Sequence, residues 1–173
     1  MTLPRSLPLV LLLTACGSHT AATPRGSSSD TRSTEAPRCE AREVAGVPRV
    51  ATLGLPPGCA VEGAGSLEAP LAIETAEAYA AHVRCEAGAM PPAIDFATST
   101  LHLASYTLTP AGMGVEVHDD GSVVTLARLE RSPCPDDPMP MPMQTSLAFV
   151  LPKGAARTFR TLPCAIAHRC EGR

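Results

Sequence analysis

Apolar and polar positions change their period three times along this chain. Leu7–Leu13 is almost continuously apolar, and Gly17–Arg38 carries no apolar side chain larger than alanine or a proline ring. From Thr75 the spacing becomes helical: Thr75 can cap, Glu77 falls in the first turn, and Ala76, Tyr79, Ala80 and Val83 share a face. That helix is expected to end near Cys85, ahead of Gly88 and the Pro91-Pro92 pair. Beyond it the period falls to two. Ile94 and Phe96 bracket Asp95, Leu101 and Leu103 bracket His102, and Val115 and Val117 bracket Glu116. His118-Asp119-Asp120-Gly121 then predicts a hairpin turn into Val123–Leu129, with the two aspartates as turn formers. Leu147, Phe149 and Leu151 point inward from a further strand that stops at Pro152, and Phe159 seeds a last one. The fold expected is α+β: one helix packed on a mainly antiparallel sheet of roughly four to six strands, with a β-rich core over about 93–162. Cys39–Pro70 is rich in Gly and Pro and predicts loops with one strand or hairpin.

The apolar run at the start is too short to span a bilayer. Seven residues rise about 10 Å as a helix, against roughly 30 Å of hydrocarbon. One positive charge (Arg5) before it and small residues after it are the pattern of an export signal. Leu13-Thr14-Ala15-Cys16 resembles the bacterial lipobox. The resemblance implies cleavage of 1–15, a diacylglycerol on the Cys16 thiol and an acylated new amino terminus, hence a membrane anchor through acyl chains. Gly17, where an inner-membrane retention signal would carry Asp, points to the outer membrane.

Residues 16–38 then form a lipidated terminus and a disordered tether, because Ser, Thr, Gly and Pro bury too little surface to offset ordering entropy. As a flexible coil the stretch reaches about 25 Å. Residues 39–173 remain for a single folded domain. Loss of Arg5 with the leader moves the formal charge from −3 to −4, and only one lysine, Lys153, is present. No basic run could neutralise a row of phosphates, so nucleic acid is not an expected partner.

With three Phe, two Tyr and no Trp, the core is thin in large side chains. Six cysteines besides Cys16 make a disulfide framework the expected compensation in an exported domain. Short loops rich in Gly, Pro or small residues suggest Cys39–Cys59 and Cys164–Cys170, and Cys85–Cys134 would tie the helix end to a long loop. A metal site at Cys164-x₃-His168-x-Cys170, or at His82-x-x-Cys85, is the rival reading, but the spacing fits no zinc ribbon or finger and oxidation removes the thiolates.

Ile94-Asp95-Phe96, Gly112-Met113-Gly114-Val115-Glu116-Val117, and Thr145 through Leu151-Pro152-Lys153 are similar to the PrcB-type C-terminal domain of exported bacterial lipoproteins. That family is named for a component of a surface protease complex. Met113 stands where the family usually has an aromatic, and the cysteines are not general in it. The resemblance implies an accessory domain with no active-site residues.

Enzyme signatures such as G-x-S-x-G, H-E-x-x-H or a phosphate-binding glycine loop do not occur, and Gly63–Ser66 (GAGS) lacks the lysine and flanking strand of one. The expected function is a lipid-anchored envelope protein that binds another protein and needs no cofactor. One alternative is copper handling by Met139, Met141 and Met143 with His118, since Met-x-Met-x-Met is similar to copper-chaperone motifs of the bacterial envelope and thioethers suit Cu(I). Alternating prolines oppose that reading, because they hold the backbone near polyproline II and splay the methionines. An unrecognised hydrolase is the other alternative.

Overall fold

The computed structural model describes residues 38–109, 111–132, 134, 141–154 and 156–166. The leader, Cys16, the tether through Pro37, Met139, His168 and Cys170 lie outside them. In chain order the elements are β1 (Arg49–Val50), β2 (Cys59–Val61), β3 (Leu71–Ile73), α1 (Ala76–His82), β4 (Val83–Cys85), β5 (Ser99–Leu108), β6 (Gly112–Asp119), β7 (Val123–Arg131), β8 (Met143–Pro152) and β9 (Thr158–Ile166). The α+β class, with one α-helix among the described residues and mostly antiparallel strands, is the one expected.

The strands form a four-stranded sheet in the order β1-β6-β7-β9, a three-stranded sheet β3-β5-β8, and a separate β2-β4 pair. All pairings are antiparallel except β7 with β9. Period-two burial explains how the sheets stack. Ala104, Leu147, Phe149 and Leu151 of one sheet meet Val117, Val124 and Leu126 of the other. On the opposite face of the three-stranded sheet, Leu101, Leu103 and Ala148 pack with Tyr79 of α1 and Val83 of β4. The outer face of the four-stranded sheet (Ala127, Leu129, Cys164) is covered by Cys39 and Ala41.

Local chemistry sets the turns. Thr75 caps α1, its hydroxyl oxygen accepting from the Ala78 N–H at 3.1 Å. Asp120 closes the β6–β7 hairpin by accepting from the N–H groups of Ser122 and Val123, and Gly121 takes φ +95° beside it. Gly65 holds the edge of β5, donating to the Leu103 carbonyl and accepting from the Ser105 N–H. A Cβ there would come within 2.6 Å of the Leu71 nitrogen, so only glycine lets the backbones approach.

Four expectations are corrected. The helix ends at His82, because Val83–Cys85 pairs with Val61–Cys59 and is strand. Ala76 and Ala80 are exposed, and Tyr79 carries the burial of this short helix, its hydroxyl donating to the Pro92 carbonyl. Ile94–Phe96 is not strand and leads into a turn over Phe96–Thr98: the Asp95 carboxylate accepts from the Ala97 N–H and the Thr98 hydroxyl, and this local bonding outweighs a three-residue alternation. The disulfides join Cys39 to Cys164 and Cys59 to Cys85, replacing Cys39–Cys59, Cys85–Cys134 and Cys164–Cys170. Strand register decides this. Cys59 faces Cys85 directly across β2 and β4, and β9 carries Cys164 under the segment that holds Cys39. Cys134 is also disulfide-bonded.

Candidate functional site

One short segment sews the two sheets together along one side. Arg49 and Val50 pair with His118 and Val117 of β6; two residues on, Thr52 bridges Phe149 of β8, and the Leu53 N–H donates to the Ala148 carbonyl at 2.7 Å. The stitching covers only the C-terminal halves of β6 and β8. Between their N-terminal halves lies an open groove of about 650 Å³, walled by Gly114 and Val115 on one side and Gln144–Leu147 on the other.

The β8 wall is a strand edge. Because the Ala148 carbonyl turns away from β5 toward Leu53, alternation along the strand turns the N–H and C=O groups of Ser146 and Gln144 the same way. No backbone partner meets them among the described residues. Apolar groups from Leu53, Leu55, Val61 and Leu147 and the polar residues Tyr106, Thr145 and Ser146 line the space, and no charged side chain among the described residues does. Burial pushes the Tyr106 phenol up, so it remains a neutral hydroxyl. At the same end of the two walls, Met113 (49% exposed) adjoins Gly114 and Met143 (61%) adjoins Gln144, with Met141 (85%) just before. A half-apolar trough whose described lining carries no charge, with an unpaired strand edge, is shaped for extended polypeptide.

The residues singled out in the sequence sit elsewhere. His118 and Glu116 are buried on the outer face of the four-stranded sheet, His118 Nε2 lying 3.2 Å from Glu116 Oε2. The same carboxylate oxygen accepts from the Cys39 N–H at 3.1 Å, and Arg49 Nη1 lies 3.2 Å from the other oxygen. This cluster clamps the N-terminal segment onto the sheet. Neither ring nitrogen of His118 meets a hydroxyl or thiol, since Nδ1 faces the Val47 carbonyl. His118 is buried on the outer face of the four-stranded sheet, whereas Met141 and Met143 are exposed just before and at the start of β8, and Met139 lies outside the described residues. His82 Nδ1 is 2.8 Å from the Glu62 carbonyl, while Cys85 is in a disulfide, so His82-x-x-Cys85 offers no thiolate. Cys164 is likewise oxidised. Among the described residues no group of three His, Cys, Asp or Glu could hold a metal ion. Asp119 and Asp120 are the turn formers expected, and Asp119 also pairs with Arg157 at 3.1 Å, a contact spanning 38 positions that local spacing does not reveal.

The groove itself escaped sequence reasoning. Its strand edge exists only because β1 is short and Thr52 crosses to the other sheet. The signal available was the neutral, hydroxyl-rich start of β8 (Gln144-Thr145-Ser146) after a run of methionines. No protein-family model matches the chain, and neither a curated protein nor a solved structure matches it.

Proposed function

We propose that this chain is a lipid-anchored protein of the bacterial envelope whose domain binds a partner protein by accepting an extended, uncharged segment of it along the free edge of β8. The observation that carries the reading is the pair of outward-facing backbone positions, Gln144 and Ser146, set in a groove whose described lining carries no charge. Strand addition draws its affinity from main-chain hydrogen bonds and its selectivity from alternate side chains, here entering the Leu53–Leu55 and Tyr106–Val115 walls. The exposed methionines beside it suit such a surface, because thioethers adapt to varied contacts. The lipobox supports the address, and the similarity to PrcB-type accessory domains agrees with binding rather than catalysis.

Two experiments test this. Cys16→Ser should release the protein into the soluble fraction or leave the precursor uncut; a soluble wild type beginning elsewhere than Cys16 overturns the anchor. A photo-crosslinking residue at Thr145 of the full lipidated chain should capture a discrete partner from the envelope. Ser146→Pro should abolish that adduct, since proline removes only an outward donor, whereas Ser146→Ala should keep it. A proline variant that is folded and crosslinks as well as wild type overturns the strand-edge reading.

A further inference from the structure

The 48–53 segment is bonded as a strand shared by two sheets. The Pro48 carbonyl accepts from the Asp119 N–H of β6 and Val50 pairs with Val117, whereas the Leu53 N–H donates to the Ala148 carbonyl of β8. Positions an odd number apart face opposite ways in an extended chain, so this one chain serves an edge on either side of it. Two edges that a single chain joins lie two strand spacings apart, roughly 9–10 Å.

The groove continues this gap, and its second wall is a strand edge too. At the hairpin the Asp120 N–H donates to the Val123 carbonyl, while the Asp119 N–H turns the other way, to Pro48. Alternation back along β6 then aims the N–H and C=O of Val117 at β1 and those of Val115 into the groove. β1 has ended by that point, and no backbone partner meets Val115 on that side among the described residues. A chain lying there also has apolar groups on both of its faces. Tyr106, Val115 and Leu147 belong to the cluster between the sheets, and Leu53, Leu55 and Val61 to the cluster on the opposite face of the three-stranded sheet. Size agrees with one strand. At spacings of about 4.8, 10 and 3.3 Å a strand residue takes up roughly 160 Å³, so about 650 Å³ holds about four residues, the length of the 144–147 wall.

Resting on the edge reading above, we infer that the guest segment is gripped by both edges at once, as a central strand joining β8 to β6. Two of its residues pair with Gln144 and Ser146, and the residue between them pairs with Val115. This placement sets the chemistry of the partner. A strand paired on both edges and covered on both faces is a continuous apolar run, whereas one half-exposed at an outer edge alternates apolar with polar residues. The guest is therefore a stretch of about four consecutive apolar or hydroxyl-bearing residues, with no charge and no proline among them.

The probe is a set of peptides of about ten residues, selected from a random displayed library on the full lipidated chain in detergent. N-methylation is moved through the bound run one residue at a time, which deletes single amide donors and leaves the protein unaltered. The two-edged grip should show as at least tenfold weaker binding at three consecutive positions. The Val115 amide should become protected from exchange together with those of Gln144 and Ser146. Weakening at alternate positions only, a Val115 amide that keeps its free exchange rate in the complex, or a bound run that alternates charged with apolar residues overturns this inference and leaves the β8 edge reading standing. Weakening at no position, or a selection that returns no peptide, overturns both.

Discussion

Gly65 shows how much of this structure rests on single positions with no obvious chemistry. It sits in a GAGS stretch that lacks the features of a phosphate loop, and the structure uses it to bring the 63–66 segment against the backbone of Ala69–Leu71 while extending the edge of β5. Gly65→Ala should cost on the order of 2–3 kcal/mol, read as a lowered midpoint in urea with an unchanged slope. A shift near zero would mean that the backbone there can give. His102 supplies a second test at this scale. Its folded value lies below that of the unfolded chain, mainly through burial. The associated stability is fully present above the unfolded value of about 6.5 and is lost as pH falls toward and through the folded value, because the unfolded chain binds the proton first. His102→Phe should therefore lose less stability than wild type between pH 7 and pH 5. Equal losses would contradict the buried, neutral ring.

The elements that could be read from the sequence were those whose signal is local. The Thr75 cap, the Asp120-Gly121 turn and the alternation of Leu147, Phe149 and Leu151 each lie within a few residues, and each forms as expected. The failures need partners far along the chain. Val83–Cys85 continues a helical pattern and becomes strand because β2 pairs with it, and the parallel β7–β9 pair has no sequence mark. The disulfides failed for the same reason, since loop length favoured near neighbours while register placed Cys59 opposite Cys85. Removing that bond by double serine substitution should cost about 3–4 kcal/mol from the freed loop entropy. Its structural effect should stay within β2, β4 and the adjacent Leu53–Leu55 wall, seen as faster amide exchange there and little change in β6 and β7.

At the scale of the molecule, a core with few aromatics is closed by a bond between the first and last described parts of the fold. Cys39 and Cys164 are 125 positions apart, and their bond ties the segment clamped by Glu116 to β9. Loop entropy alone gives it about 4–5 kcal/mol, a large share of the 5–15 kcal/mol typical of a domain. Double replacement of Cys39 and Cys164 should therefore lower global stability more than loss of Cys59–Cys85 does, as read by urea midpoints. The reverse order would contradict this view of which bond closes the fold. The groove could not have been found from the sequence, because it lies where two sheets fail to meet. The claim on which the function rests is that β8 offers its edge to an extended chain, and amide hydrogen exchange tests it most directly. Peptides of about ten residues should be selected on the wild-type domain from a random displayed library. The Gln144 and Ser146 amides should exchange fast in the free domain and become protected on peptide binding, with Ser146→Pro abolishing that binding. Tight peptide binding that leaves both amides exchanging at their free rates would contradict the account.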